Sequence, residues 1–171
     1  MSTPYNPAAE LVAIVDRENN VTGAVTRREM RAQGLLHRST YILAFRSNGD
    51  LFVQKRTMTK DVYPGYWDPV AGGVVQAEES YEESAERELA EELGIRGVAV
   101  EPLFEFYFED GAIRVWGKAF RSTYDGELTP QPEEVAGGEY MSIDEITRRA
   151  EFEPFTADGL HVIRRYREMY P

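Results

Sequence analysis

Apolar and polar positions alternate with a period of two along the first third of the chain, then change to a helical period. Leu11 to Val15 and Val21 to Thr26 read as strands joined around Asn19-Asn20, a hairpin signal. Arg27 to Gln33 follows as a short helix stopped by Gly34. Tyr41 to Phe45 and Leu51 to Gln54 flank the turn Ser47-Asn48-Gly49-Asp50 and predict a second hairpin. Val62 to Val75 is punctuated by Pro64-Gly65 and Gly72-Gly73. From Tyr81 to Leu93 the period becomes helical: Tyr81, Ala85, Leu89 and Leu93 form one stripe, Ser80 with Glu83 makes a capping box, and Gly94 ends the helix. Val98 to Phe108 and Ile113 to Phe120, turning at Asp110-Gly111, complete the strands, and Ser122 to Gly138, rich in Gly and Pro, reads as a loop. Ser142 with Glu145 starts a short helix, and Thr156 is the expected cap of a last one ending near Met169. Strands interleaved with helices imply an α/β fold with a mixed sheet covered on both faces. Residues 1–9 read as a loose leader to one domain over 1–171.

Composition narrows the function. At 171 residues the chain can build one complete core. Thirty acidic against 19 basic residues give a net charge of -11, which repels a nucleic-acid backbone, so no polymeric nucleic-acid partner is expected. The absence of cysteine excludes disulfides, zinc-thiolate sites and cysteine nucleophiles. The opening MSTPYNPAAE has neither a basic nor an apolar signal region, and no apolar run approaches a membrane span. The expectation is a soluble cytoplasmic protein without a membrane partner; its oligomeric state is written in none of these features.

Glu88, Glu91 and Glu92 fall within an arc of about 100° beside the apolar stripe of the Tyr81–Leu93 helix. Like charges at this spacing oppose the helix unless cations hold them, and grouped hard oxygens suit Mg²⁺ or Mn²⁺. Arg87, one turn before Glu91, can orient it. Acidic helices are usually only solvated faces. The spacing reverses that default: Gly73 to Ile95 reads G-x5-E-x7-R-E-U-x-E-E-x-G-U, with U aliphatic and every specified position filled. Average residue usage gives a chance match of order 10⁻⁸ to 10⁻⁷, so coincidence is dismissed.

The pattern resembles the signature of the Nudix hydrolases, which cleave nucleoside diphosphates linked to another group. The resemblance implies an α/β/α sandwich, Mg²⁺ or Mn²⁺ held by Glu88, Glu92 and Glu91, and a metal-dependent cleavage of a phosphoanhydride in a small nucleotide or diphosphate. A general base is still needed. It is sought at Glu91 or on the later loop at Glu133 or Glu134, with Glu139 just beyond, while Glu79 either joins the metal ligands or only positions the loop, and Arg87 orients the helix carboxylates.

Ahead of the box, LLHRSTYIL, LFVQKRTMTK and YPGYW look like the branch that includes isopentenyl-diphosphate isomerase. The arginine and lysine that grip diphosphate there match Arg56 and Lys60, which with Gly73 form the expected substrate-binding set. The isomerase chemistry is missing, since its cysteine aligns with Gly72, a metal-binding histidine with Val74, and its later glutamates approximately with Ala112 and Arg114. Only His37 persists, and a lone histidine, like His161, is by default structural. Hydrolysis therefore stands ahead of isomerisation and of a non-catalytic binding module, whose usual mark is a degraded box. Phe104, Phe106, Tyr107, Phe108, Trp116 and Trp67 offer stacking faces, yet strand aromatics are core by default. No substrate signature is present. A nucleoside di- or triphosphate leads because nucleotides are the family's commonest substrates, ahead of a nucleotide sugar or prenyl diphosphate.

Overall fold

The computed structural model describes residues 4–171. Eight strands run in chain order as β1 (Leu11–Val15), β2 (Val21–Thr26), β3 (His37–Phe45), β4 (Leu51–Arg56), β5 (Trp67–Asp68), β6 (Glu101–Glu109), β7 (Arg114–Thr123) and β8 (Val135–Met141). The helices are α1 (Arg27–Gln33), α2 (Tyr81–Leu93), α3 (Ile143–Arg149) and α4 (Ala157–Met169). The sheet is mixed: β3 and β7 run parallel over the full length of β3, and the other named pairings are antiparallel.

Period-two alternation in β3 divides the core. Tyr41, Leu43 and Phe45 face α3 and α4 with Ile146, Val162 and Ile163, whereas Ile42 and Ala44 face α2. On the second side Tyr81, Ala85, Leu89 and Leu93, the stripe read from the sequence, are all buried. Complete burial of Leu89 and Leu93 contributes roughly 1.5–3 kcal/mol each. Helices thus cover both faces of the sheet, as expected, and the α2 boundaries match those read from its caps.

The site is positioned by the edge of β3 opposite β7. That edge is shared by three pieces of chain: β1 at His37, β4 at Phe45, and between them the segment Ala71–Val75. Ile42 and Ala71 exchange backbone hydrogen bonds, the Thr40 N–H donates to the Gly73 carbonyl, and the Val75 N–H donates to Arg38. The loop entering α2 is therefore built into the sheet.

Several boundaries differ from the reading. Strand β3 begins at His37 because its polar start is satisfied by this shared edge. The last part of the Ser122–Gly138 loop is strand β8, paired along β4. Gly138 is needed there, since a Cβ would stand 2.4 Å from the Phe52 ring. Thr156 occupies the N-cap position of α4 but makes no side-chain cap bond; its hydroxyl donates to Asp68 instead. Of the supposed leader, Met1–Thr3 lie outside the described residues, while Pro7–Ala9 form a 3-10 turn. No helix among the described residues is long and apolar enough to cross a membrane.

Candidate active site

The loop at Gly72-Gly73 approaches its neighbours too closely for side chains. A Cβ on Gly72, whose φ is +132°, would lie 2.2 Å from the Thr40 carbonyl oxygen, and one on Gly73 would lie 2.8 Å from Glu88 Oε1. Gly73 thus lets α2 bring the Glu88 carboxylate down onto the loop.

Arg87 organises the entrance. Its guanidinium grips Glu79 through two hydrogen bonds of 2.7 and 3.0 Å, and its third nitrogen reaches Glu88 at 3.0 Å and Glu91 at 3.1 Å. Glu79 in turn accepts from the Gln76 N–H, tying the loop to the helix. Burial alone would raise the Glu79 carboxyl, but the Arg87 hydrogen bonds, the Gln76 N–H and the Arg87 charge together hold it below the usual value. Arg87 therefore orients more than the Glu91 expected of it.

The three helix glutamates share one edge of α2 but not one set of partners. Glu92 is buried at 4% exposure and accepts a 2.6 Å bond from Gln54. Glu88 is partly buried, and the Glu91 side chain is 52% exposed. Among the described residues no three His, Asp or Glu side chains stand grouped to hold an ion as they lie. Burial raises both Glu88 and Glu92, and the Glu92 charge pushes Glu88 further, to about 7. Lys60 and Gln54 offset part of this for Glu92.

Glu133 and Glu134 separate cleanly. Glu133 points to solvent and offers only its backbone carbonyl, to Thr57. Glu134 turns inward to line the same acidic recess as Glu88, Glu91 and Glu92, and contacts the Lys60 ammonium. Burial raises the Glu134 carboxyl to about 7, and burial together with Arg56 lowers Lys60 to about 8. Their mutual contact works against both shifts. Glu139 lies elsewhere, on β8 against Arg149.

Arg56 lines an inner cavity with Lys60, but its guanidinium is engaged by the Val62 carbonyl at 2.7 Å and by Asp68 at 3.2 Å. Behind it stands a network that the sequence did not reveal. Asp68 accepts from Thr156 and the Val70 N–H, and Asp158 accepts from the Tyr41 hydroxyl at 3.0 Å. Burial, then the charge of Asp68, raises Asp158 to about 6. Asp68 and Asp158 are 90 positions apart, and no local spacing marks them.

The remaining candidates sit apart from the carboxylates. His37 is buried, its Nδ1 2.9 Å from the Leu35 carbonyl, and burial with the Arg31 charge lowers it to about 3. It is a neutral structural group lining the inner cavity. Phe106 is core, Phe104 and Phe108 pack beside it, Trp116 donates to the Arg17 carbonyl, and Trp67 lies under Lys55 and Arg149. Ala112 and Arg114 flank the β6–β7 turn, with Arg114 near Glu109.

Residues 35–164 match the family described as the NUDIX domain. A Pseudomonas aeruginosa protein designated an uncharacterized Nudix hydrolase is 42% identical over 158 residues, covering 92% of this chain and 94% of its own length. The Escherichia coli K12 protein designated uncharacterized Nudix hydrolase YfcD is 46% identical over 156 residues, 91% of this chain and 86% of its own length. A crystal structure of a Deinococcus radiodurans protein superposes with a TM-score of 0.80 at 25% identity, covering 91% of this chain and 98% of that one.

Proposed function

Because the chain belongs to the Nudix hydrolase family, we propose that it is a divalent-metal-dependent hydrolase of a phosphoanhydride bond in a nucleoside di- or triphosphate. The observation that carries this reading is the placement of Glu88 and Glu92, one helical turn apart, with Glu91 and Glu134 around one recess, where burial raises both Glu88 and Glu92 despite the nearby Arg87 and Lys60. Buried charge without compensation costs several kcal/mol, and hard carboxylate oxygens beside an open recess fit Mg²⁺ or Mn²⁺. Glu88 and Glu92 would hold the ion, with Glu91 able to swing in from its exposed position. Such an ion supplies Lewis-acid polarisation of a phosphoryl oxygen and a more acidic water.

The chain's own residues carry the rest. Glu134 takes the proton from the attacking water, for which a carboxyl raised to about 7 is suited near neutral pH. The water oxygen bonds to phosphorus, the bridging P–O bond breaks, and its electrons leave with the departing phosphate. Lys60 and Arg56 neutralise that departing charge by exchanging Glu134 and Asp68 for phosphate oxygens. Arg87 holds the loop and the helix carboxylates in register through Glu79.

The isomerase alternative meets a steric obstacle, because backbone fills the space that a side chain at position 72 would need. The proposal is tested by incubating nucleoside di- and triphosphates, a nucleotide sugar and isopentenyl diphosphate with the chain in Mg²⁺ or Mn²⁺ and separating the products. Phosphate or pyrophosphate release from nucleotides, abolished by a chelator, is expected. Undiminished turnover in the chelator, or release of no phosphate from any compound, sinks it.

A further inference from the structure

Three depressions meet at Lys60 and Arg27. The inner cavity behind Arg56 has about 70 Å³, and the acidic recess at Glu88, Glu92 and Glu134 about 30 Å³. Both are sized for a few waters or a phosphate group. The third, a groove of about 320 Å³, reaches the scale of small-molecule sites. Tyr5, Pro7 and Ala8 form one wall, Arg27, Arg28 and Arg31 of α1 the second, and the segment Thr59–Asp61 with Glu133 and Glu134 the rest.

We propose that this groove takes the nucleoside half of the substrate, with the base on the Tyr5 ring and the phosphate nearest the sugar on Arg28. The inference rests on the hydrolase reading above and adds where the unreacting part of the nucleotide sits.

Three observations support it. Tyr5 borders both the groove and the acidic recess and is 47% exposed, so a flat ring can cover it while the phosphates run inward. The groove carries four cations against three carboxylates in a chain of net charge -11. Asp61 is already held by Arg27 and Arg31, and Glu134 by Lys60, whereas Arg28 is exposed and makes no ion pair among the described residues. Finally, Tyr5 and α1 precede the segment matched to the family, so a pocket built from them can set a preference that the shared box does not.

Full-length parent, Tyr5→Ala, Tyr5→Trp and Arg28→Glu chains are compared in Mg²⁺ on ADP, GDP, CDP, UDP and the matching triphosphates, with inorganic pyrophosphate as the probe lacking a nucleoside. Tyr5→Ala and Arg28→Glu are expected to raise KM for the preferred nucleotide at least tenfold, and Tyr5→Trp to restore it. The nucleotide-to-pyrophosphate ratio of kcat/KM falls by a similar factor. Equal KM values in all four folded chains overturn the inference while leaving hydrolysis intact. If the parent hydrolyses nothing, the hydrolase reading has failed and calorimetric titration with ADP decides: a tenfold weaker affinity in Tyr5→Ala supports the groove, and equal affinity or no binding refutes it. Melting curves confirm folding, and Arg28→Glu gives a second route should the Tyr5 change unfold the chain.

Discussion

Arg87 and Arg149 are each surrounded by glutamates, yet only one of the two clusters has the makings of a site. Arg149, the last residue of α3, bonds Glu153 four positions on, beyond the helix end, at 2.6 Å and also contacts Glu139. Both glutamates stay open to water, and the Arg149 hydrogen bonds draw Glu153 below the usual carboxylate value. Arg87 meets three carboxylates, Glu79, Glu88 and Glu91, with buried Glu92 behind them. There the guanidinium is outnumbered, and burial moves Glu88 upward instead of down. An arginine four positions from a glutamate is thus an ordinary surface motif. Chemistry arises where the backbone closes over more negative charge than the neighbouring cations can balance.

The largest effect separating these clusters should come from Glu92→Gln against Glu153→Gln. Loss of the buried carboxylate is expected to lower kcat about 10³-fold, several kcal/mol of charge stabilisation, with the melting curve retained. Glu153→Gln should leave kcat within about twofold, as expected of a surface change, and comparable losses in both would dissolve the contrast. Next, Glu134→Gln should cost about 10²-fold or more in kcat. Because the base acts deprotonated, parent kcat/KM should climb as pH rises toward about 7 and level off above it, and the variant should lose that limb. An unchanged limb assigns the proton elsewhere.

Smaller effects concern stability. Arg87→Lys removes the paired bonds to Glu79 and should cost about 1.5–3 kcal/mol in urea unfolding, with Arg149→Lys shifting the midpoint less. Equal shifts would show that burial is not the distinguishing variable. The smallest is a pH slope in chelator. Glu88 keeps its proton in the fold up to about 7 while the unfolded chain loses it near the usual carboxylate value. Its stabilisation is therefore complete below that value and is lost as pH rises through about 7, by at most about 1.4 kcal/mol per pH unit. Glu153, shifted downward, acts in the opposite sense and weakens the fold as pH falls. Glu88→Gln should flatten the first slope, and Mg²⁺ at pH 8 should recover the stability; a slope insensitive to both would count against a dication between Glu88 and Glu92.

What could be read from the sequence was local. The α2 boundaries followed from Ser80, Glu83 and Gly94: Ser80 accepts from the Glu83 N–H and Gly94 is left-handed, while the Glu83 side chain makes no return bond to Ser80 among the described residues. Strand β8 was hidden because Gly137-Gly138 and the prolines before it look like turn chemistry, and its pairing partner lies some 80 positions earlier in β4. The division between Glu133 and Glu134 was equally unreadable, since neighbouring residues take opposite directions once Val135 is paired. Asp68 and Asp158 came together only through the docking of α4 on the sheet, a tertiary event with no local spacing.

Gly72 has a consequence for how this scaffold can change. The space where a reactive side chain would project is filled by the Thr40 carbonyl, itself part of the strand edge that anchors the loop. A protein engineer seeking to convert the active site to alkene chemistry cannot start from one codon at that position: the ladder beneath it would have to be re-registered first, and the loop that delivers Glu88 would move with it.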